Sequence, residues 1–174
     1  ESSGGSAANT LAGVAALGSR AAFAGKVNKD QLGRVFGHDI RAASVTYETK
    51  MSIDGAPTAT CLVLITPDGQ RTMQTFLGAC VEFSVEDLDI EQIQSAKVVY
   101  LEGYLWDPEP AREAFFKAAE IAHEAGRKVA LSLSDPFCVD RHREGFLAFI
   151  EEHVDILFAN EDEILSLYRL DDFE

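Results

Sequence analysis

The sequence predicts an α/β fold in which a mostly parallel central sheet carries helices on both of its faces. Short apolar runs, typical of buried strands, alternate with amphipathic helical segments over most of the 174 residues, and this alternation favours a parallel sheet. One stretch rich in Thr, Val and Ile breaks the order with residues of alternating polarity, which indicates exposed strands. The prediction is therefore an α/β core of residues 1–44 and 78–174 with a small antiparallel β lid of residues 45–77.

The N-terminal part contains two predicted helices that flank one strand. Apolar residues at helical spacing predict a helix over residues 6–17, and residues 20–27 are predicted as a strand. Asp30 is placed to cap the next helix, because its carboxylate can accept a hydrogen bond from a free N–H group in the first turn. The apolar face of that second helix consists of Leu32, Val35, Phe36, Ile40 and Ala43.

The predicted lid contains two strand-like stretches, residues 45–49 and 58–77. Residues 66–69 read Thr-Pro-Asp-Gly, with proline at the second turn position and glycine at the fourth. This order is typical of a type I turn, so we expect a hairpin at residues 66–70.

After the lid, strands and helices alternate again. Ser84 and Asp87 have the spacing of a capping box at the start of a short helix, and Asp107-Pro108 is predicted to open a long one. Another helix is predicted near residues 142–152, and a last one follows residue 160. Buried strands are predicted for residues 97–101, 129–133 and 154–158.

The charge and the apolar pattern argue against several classes of partner, and the cysteine content indicates a reducing environment. The formal net charge is −14, which argues against nucleic acid and anionic membranes as partners, because both are bound by clusters of Lys and Arg. The chain contains no run of about 18 apolar residues that could span a membrane. Cys61, Cys80 and Cys138 are an odd number of widely spaced cysteines, which fits reduced thiols and a cytoplasmic location.

Polar residues follow several of the predicted strands, where α/β proteins bind their ligands. Gly4, Gly5 and Asn9 open the first helix, Glu102 and Asp135 end two strands, and a last strand is followed by two further polar residues, Asn160 and Glu163. We expect these strand ends to converge on one crevice.

Each of these residues also has an ordinary structural interpretation. Glu102 can be a solvated strand end, and Asp135 can be a loop residue before Pro136. Asn160 and Glu163 have capping-box spacing, which stabilises a helix start without any ligand. The sequence has no GxxxxGK[ST] or GxGxxG motif. The common nucleotide-binding loops are therefore absent and give no support to a ligand-binding role over a structural one.

A series of motifs in a fixed order resembles the ribokinase-like kinases, also called the PfkB carbohydrate and nucleoside kinases. The similar segments cover Gly-Gly-Ser-Ala-Ala-Asn at residues 4–9, the lid strand at 56–61, its hairpin at 67–72, Ser-Asp-Pro at 134–136 and Asn-Glu-Asp-Glu at 160–163. Within that family the chain is most similar to the adenosine kinase and sugar kinase branch.

The resemblance implies a kinase that uses ATP and Mg²⁺ to phosphorylate a primary hydroxyl of a sugar or nucleoside, such as adenosine, ribose or fructose. Asp135 and Asn160 would then contact the nucleotide or its phosphates, and Glu163 would hold Mg²⁺ through water. The family often pairs its lids, which implies a homodimer. The residues implied in substrate binding are Gly4, Gly5, Asn9, Thr58, Thr60 and Glu102.

The resemblance also implies that this chain holds only the substrate half and the lid of such an enzyme. The family's first strand would precede Glu1, and its Gly-Ala-Gly-Asp segment, with the catalytic base, would follow Glu174. The chain alone is then expected to be inactive. Two other classes stay open: a noncatalytic α/β module that binds a small molecule, and, less favoured, a nicotinamide-dependent oxidoreductase.

Overall fold

The computed structural model describes residues 2–170 and residue 172. It has an α/β fold with parallel strand pairs, covering helices and one small antiparallel sheet, as predicted. The chain divides into two compact units, one of residues up to Phe83 and one of residues from Ser84 onward. None of the helices in the described part of the chain is both long and apolar enough to cross a membrane.

The N-terminal unit begins with two helix–strand pairs: α1 Ser6–Ala16, β1 Ala21–Phe23, α2 Gln31–Ala42 and β2 Val45–Tyr47. Strand β2 pairs in parallel with β1. The prediction that residues 45–49 belong to an antiparallel sheet is therefore wrong for this strand. Its partner β1 belongs to the segment predicted as α/β core, and the pairing is parallel. The side chain of Tyr47 is fully buried, and its hydroxyl donates to the carbonyl oxygen of Gly25 at 3.0 Å.

The predicted hairpin is confirmed, with strands β3 Thr60–Ile65 and β4 Arg71–Phe76. The two strands are antiparallel, with Thr60 opposite Phe76 and Ile65 opposite Arg71. The N–H of Gly69 donates to the carbonyl oxygen of Thr66 at 2.9 Å, and Gly69 has a φ of +83° that favours glycine. All residues of both strands are exposed.

The C-terminal unit contains a three-stranded parallel sheet of order β5-β6-β7. A 3-10 turn at Gly103–Trp106 follows the first of these strands. The bounds of the other elements are α3 Ile90–Ser95, β5 Val98–Glu102, α4 Glu109–Glu124, β6 Lys128–Ser132, α5 Pro136–His153, β7 Ile156–Phe158 and α6 Glu161–Tyr168.

The core of this unit is built around Trp106. Its ring stacks on Phe146 at 4.5 Å between centroids and meets Phe149 edge-on at 5.2 Å. Helix α5 starts at Pro136, six residues before the predicted start at residue 142, and contains a non-helical residue at His142. The turns before the predicted start bury Cys138 and Val139, so the apolar face of the helix extends beyond the predicted range. The core holds the ends of the three strands in place.

Candidate functional site

Three neighbouring strand ends of the C-terminal unit carry polar side chains. Glu102 ends β5, Asp135 follows β6, and Asn160 follows β7. The strands are parallel and adjacent, so their carboxyl ends lie at the same edge of the sheet. This edge is the candidate site.

Glu102 is buried, with only 8% of its surface exposed. One carboxylate oxygen accepts a hydrogen bond from the hydroxyl of Ser134 at 2.5 Å, and the other accepts from the hydroxyl of Tyr100 at 3.2 Å. Tyr100 and Glu102 are two residues apart in one strand and therefore point to the same face of the sheet. The structure thus places Glu102 in a polar network and not at a solvated strand end.

Asp135 caps helix α5. Its Oδ1 accepts hydrogen bonds from the N–H of Phe137 at 2.7 Å and of Cys138 at 3.4 Å. Pro136 occupies the first helical position, where its missing N–H costs nothing. The structural interpretation of Asp135 therefore applies, but a cap at this edge also places a fixed negative charge beside the other strand ends.

Asn160 and Glu163 form a capping box at the start of α6. The N–H of Glu163 donates to Oδ1 of Asn160 at 2.8 Å, and the N–H of Asn160 donates to Oε2 of Glu163 at 3.1 Å. The amide of Asn160 also donates to Oε1 of Glu163 at 3.0 Å. Only 6% of the surface of Glu163 is exposed, so this carboxylate is both buried and held in place.

The acidic side chains of this edge affect one another electrostatically. Burial raises the pKa of Glu163, and the charges of Asp135 and Glu102 raise it further, against the hydrogen bond from the N–H of Asn160. Burial also raises the pKa of Tyr104, with the same three carboxylates contributing. The site therefore carries concentrated negative charge, which favours cations and hydroxyl donors.

This charge fits a magnesium ion held through water. Mg²⁺ is a hard cation that keeps several of its waters and needs few carboxylates. Within residues 2–170 and 172, no group of three or more His, Cys, Asp or Glu side chains is placed to hold a metal ion directly. Each carboxylate oxygen of Glu163 accepts from Asn160 but has a second lone pair for a water molecule.

Three of the predicted substrate residues lie at the start of α1, in the N-terminal unit. Gly4, Gly5 and Asn9 are exposed. Gly5 precedes the helix with a φ of +110°, a conformation that favours glycine. The backbone at this helix start is accessible to a ligand, and the predicted role of these residues stays a prediction.

Thr58 lies two residues before β3, and Thr60 is the first residue of that strand. The hydroxyl of Thr58 donates to Oδ1 of Asp30 at 2.7 Å and accepts from the N–H of Asn28 at 3.0 Å. Thr58 is buried, whereas Thr60 is exposed at the start of β3. Thr58 thus anchors the hairpin to α2, and the binding role of both threonines stays a prediction.

Sequence reasoning missed Ser134, Tyr100 and Tyr104. The period of two along a strand could have identified Tyr100, because Glu102 was already a candidate. Tyr104 follows Glu102 by two residues in a turn whose shape the sequence does not specify. Ser134 directly precedes Asp135, but its bond to Glu102 joins residues 32 positions apart.

The thiol of Cys138 is excluded as a nucleophile. It is buried, and burial together with the charge of Asp107 raises its pKa to about 11. A nucleophilic cysteine needs the opposite shift, because the thiolate is the reactive form.

Comparison with known proteins finds kinases among the solved structures that are similar to the chain. It is similar to the solved structure of adenosine kinase from Sinorhizobium meliloti, with a TM-score of 0.96 and 53% identity over 99% of this chain and 53% of that one. It is similar to a probable sugar kinase from Rhizobium etli, with a TM-score of 0.95 and 54% identity over 98% of this chain and 52% of that one.

Among curated sequences, the probable chloroplastic fructokinase-6 of Arabidopsis thaliana is 32% identical over 97% of this chain and 45% of its own length. The chain therefore spans about half the length of the relatives it matches. The family model described as pfkB family carbohydrate kinase matches residues 1–173. This match shows that the chain belongs to the pfkB family of carbohydrate kinases.

Proposed function

We propose that the whole protein transfers the terminal phosphoryl group of ATP to a primary hydroxyl of a sugar or nucleoside, and that this chain supplies the substrate half and the lid. The observation that carries the proposal is the buried, hydrogen-bonded Glu102 beside Asp135 and Glu163 at the edge of the parallel sheet. A carboxylate with fixed orientation is suited to accept hydrogen bonds from substrate hydroxyls.

The residues of the chain divide this task between them. Glu102 binds an acceptor hydroxyl, and the exposed backbone of Gly4 and Gly5 allows close approach of the sugar. Asp135 and Asn160 orient the phosphates, and Glu163 holds waters for the cation. Mg²⁺, when bound, supplies charge neutralisation on the transferred phosphoryl group.

We propose adenosine and fructose as the first substrates to test. The adenosine kinase of Sinorhizobium meliloti is 53% identical to this chain, whereas the probable fructokinase is 32% identical. The probable sugar kinase of Rhizobium etli is 54% identical to this chain, so the identities alone do not separate nucleosides from sugars, and both acceptor classes are tested in parallel.

The test is ATP-dependent phosphorylation of adenosine, fructose and ribose by the whole protein. We expect turnover of about 1–100 per second with the preferred acceptor. Glu102→Gln should lower kcat/KM about tenfold, because a hydrogen bond to a charged group is lost. Glu113→Gln, on the exposed surface of α4, is the matched control. A whole protein that phosphorylates no sugar or nucleoside contradicts the proposal.

The catalytic base is proposed to lie outside this chain, beyond Glu174. Residues 1–174 alone should therefore bind an acceptor without phosphorylating it. The measurement is ATP consumption by this chain beside the whole protein at equal concentration. Substrate-dependent turnover by the isolated chain at the rate of the whole protein would place the base within the 174 residues.

The magnesium role of Glu163 can be separated from its capping role. Glutamine also serves in a capping box, so Glu163→Gln should keep the helix start while it removes the charge and the acceptor for the side-chain amide of Asn160. We expect a higher Mg²⁺ requirement and lower turnover, with little loss of thermal stability. Glu161→Gln, exposed in the same helical turn, is the control. An unchanged Mg²⁺ dependence would leave Glu163 with the cap alone.

The β3–β4 hairpin is proposed as a lid that closes over the acceptor, because lids exclude water from phosphoryl transfer. Its strands are exposed along their whole length, while Thr58 anchors the first leg to Asp30. Hydrogen exchange of the whole protein with saturating acceptor should slow at residues 60–76. Equal exchange with and without acceptor, when binding of the acceptor is verified separately, would argue against closure.

The same hairpin is proposed as the contact of a homodimer. Leu62, Leu64 and Met73 are more than half exposed, and pairing between two copies would cover them. Sedimentation should therefore give a dimer for the whole protein and a monomer for Leu62→Glu/Leu64→Glu. A monomeric wild-type protein at micromolar concentration would exclude the dimer.

A cytoplasmic location remains part of the proposal. Cys61, Cys80 and Cys138 form no disulfide with one another, which fits a reducing compartment. Fractionation of the source cells with detection of the whole protein tests the location, and recovery in a membrane-bounded compartment contradicts it.

A further inference from the structure

The chain turns sharply at Ser134, between β6 and helix α5. The N–H of Asp135 donates to the carbonyl oxygen of Leu133 at 2.8 Å, which closes a three-residue γ-turn around Ser134. Ser134 has a φ of +70° there. This left-handed conformation is unfavourable for residues with a Cβ atom and is the ordinary territory of glycine. A serine at this position therefore has a conformational cost that glycine would avoid.

The hydroxyl of Ser134 has a specific partner. It donates to Oε1 of Glu102 at 2.5 Å and lies 3.3 Å from the carbonyl oxygen of Ser132. The other oxygen of the same carboxylate accepts from Tyr100. Glu102 is therefore held at both oxygens, once from its own strand and once from the turn after the neighbouring strand.

We propose that Ser134 is a positioning residue, whose hydroxyl fixes Glu102 in the orientation that receives an acceptor hydroxyl. The inference rests on the proposed function, because it assigns Glu102 a substrate contact. It explains why a serine occupies a turn that suits glycine: glycine would relieve the backbone and release the carboxylate. Rotation of the free carboxylate would then weaken its hydrogen bond to the acceptor.

Two substitutions in the whole protein separate the backbone from the hydroxyl. Ser134→Ala removes the hydroxyl and keeps the unfavourable φ, and Ser134→Gly removes both. Each should raise the KM for the acceptor about threefold to tenfold, because Glu102 keeps only the bond from Tyr100 and is less firmly oriented, and should leave the KM for ATP unchanged. Glycine relieves the backbone while both variants remove the same hydrogen bond, so the melting temperature of Ser134→Gly should exceed that of Ser134→Ala.

Ser44→Gly is the matched control. Ser44 is exposed and has a φ of 65°, nearly the same backbone conformation. Its hydroxyl makes no hydrogen bond with the residues that the structure describes. We expect Ser44→Gly to raise the melting temperature and to leave both KM values at the wild-type level.

The outcomes distinguish this inference from the proposed function. If Glu102→Gln raises the acceptor KM and both Ser134 variants do not, Ser134 is only a turn residue and the inference alone is overturned. If Glu102→Gln also leaves the acceptor KM unchanged, Glu102 is no substrate contact and its assigned role falls too. A whole protein without kinase activity overturns both the proposed function and the inference.

Discussion

Each unit of the chain holds a carboxylate in the first turn of a helix, and the two carboxylates have opposite electrostatic environments. In the N-terminal unit, burial acts to raise the pKa of Asp30, but hydrogen bonds from Thr58 and Gly33 outweigh it and lower the pKa. In the C-terminal unit, burial and the charges of Asp135 and Glu102 raise the pKa of Glu163. Hydrogen-bond donors determine the pKa shift of Asp30, whereas burial and neighbouring carboxylates outweigh the hydrogen bond from Asn160 at Glu163.

The difference separates a structural acid from a functional candidate. The ionised form of Asp30 is satisfied by the Gly33 N–H at 2.7 Å and by the hydroxyl and N–H of Thr58 at 2.7 and 2.8 Å. The ionised form of Glu163 accepts from the N–H and the amide of Asn160, but burial and the charges of Asp135 and Glu102 make it less favourable than in water. Acids with raised pKa values beside other acids are concentrated at functional sites, so the comparison supports the edge of the C-terminal sheet as the site.

The largest effect on stability is expected from Asp30→Ala. The change removes the cap of α2 and leaves the buried N–H of Thr58 without its acceptor, while the hydroxyl of Thr58 keeps only the carbonyl oxygen of Asn28 at 3.3 Å. The free energy of unfolding should fall by about 2 to 3 kcal/mol. The control is Asp89→Ala, because Asp89 caps α3 through the N–H of Gln92 and is exposed. The control should cost about 1 kcal/mol.

Chemical denaturation of the two variants beside the wild type measures this difference. Equal losses for Asp30→Ala and Asp89→Ala would contradict the view that Asp30 anchors the hairpin as well as the helix.

A smaller and pH-dependent effect is expected from Glu163→Gln. The folded protein binds a proton at Glu163 more tightly than the unfolded chain does. The contribution of Glu163 to stability therefore falls as pH rises from the ordinary glutamate pKa through the raised pKa of the folded state. Glutamine keeps the cap and removes this fall, so the variant should gain stability relative to the wild type above that range.

Asp30→Asn should change the acidic end of the dependence of stability on pH. The contribution of Asp30 is present above the ordinary aspartate pKa and is lost as pH falls through its lowered folded-state pKa. Denaturation midpoints between about pH 2 and 8 measure both variants. If the two changes flatten the same side of the profile, the comparison between the two acids is wrong.

The sequence correctly predicted the hairpin turn and the helix caps, because neighbouring residues determine both. Residues 66–69 specify their own turn through proline and glycine, and the caps at Asp30, Ser84 and Asn160 follow from residue type and spacing. Strand β2 was misassigned because its Thr- and Val-rich composition suits either kind of sheet, whereas its parallel pairing depends on β1, far back in the chain.

The candidate site was predicted only in part, for the same reason. The positions of Glu102 and Asp135 follow from the rule that ligands bind at strand ends. The hydroxyl bond from Ser134 depends on the adjacency of β5 and β6 and on a backbone turn that serine does not favour. No local pattern contains that information.

The smallest effect is expected from Asp162→Asn, which tests whether the charges around Glu163 act in the proposed order. Asp162 is exposed, and its charge contributes less to the raised pKa of Glu163 than the charge of Asp135 does. The pKa of Glu163 follows from comparing each variant with its Glu163→Gln double mutant across pH. Asp135→Asn keeps a cap and should lower this pKa clearly, whereas Asp162→Asn should lower it only slightly. A larger shift for Asp162→Asn would mean that the exposed neighbour, and not the edge of the sheet, sets the charge environment of Glu163.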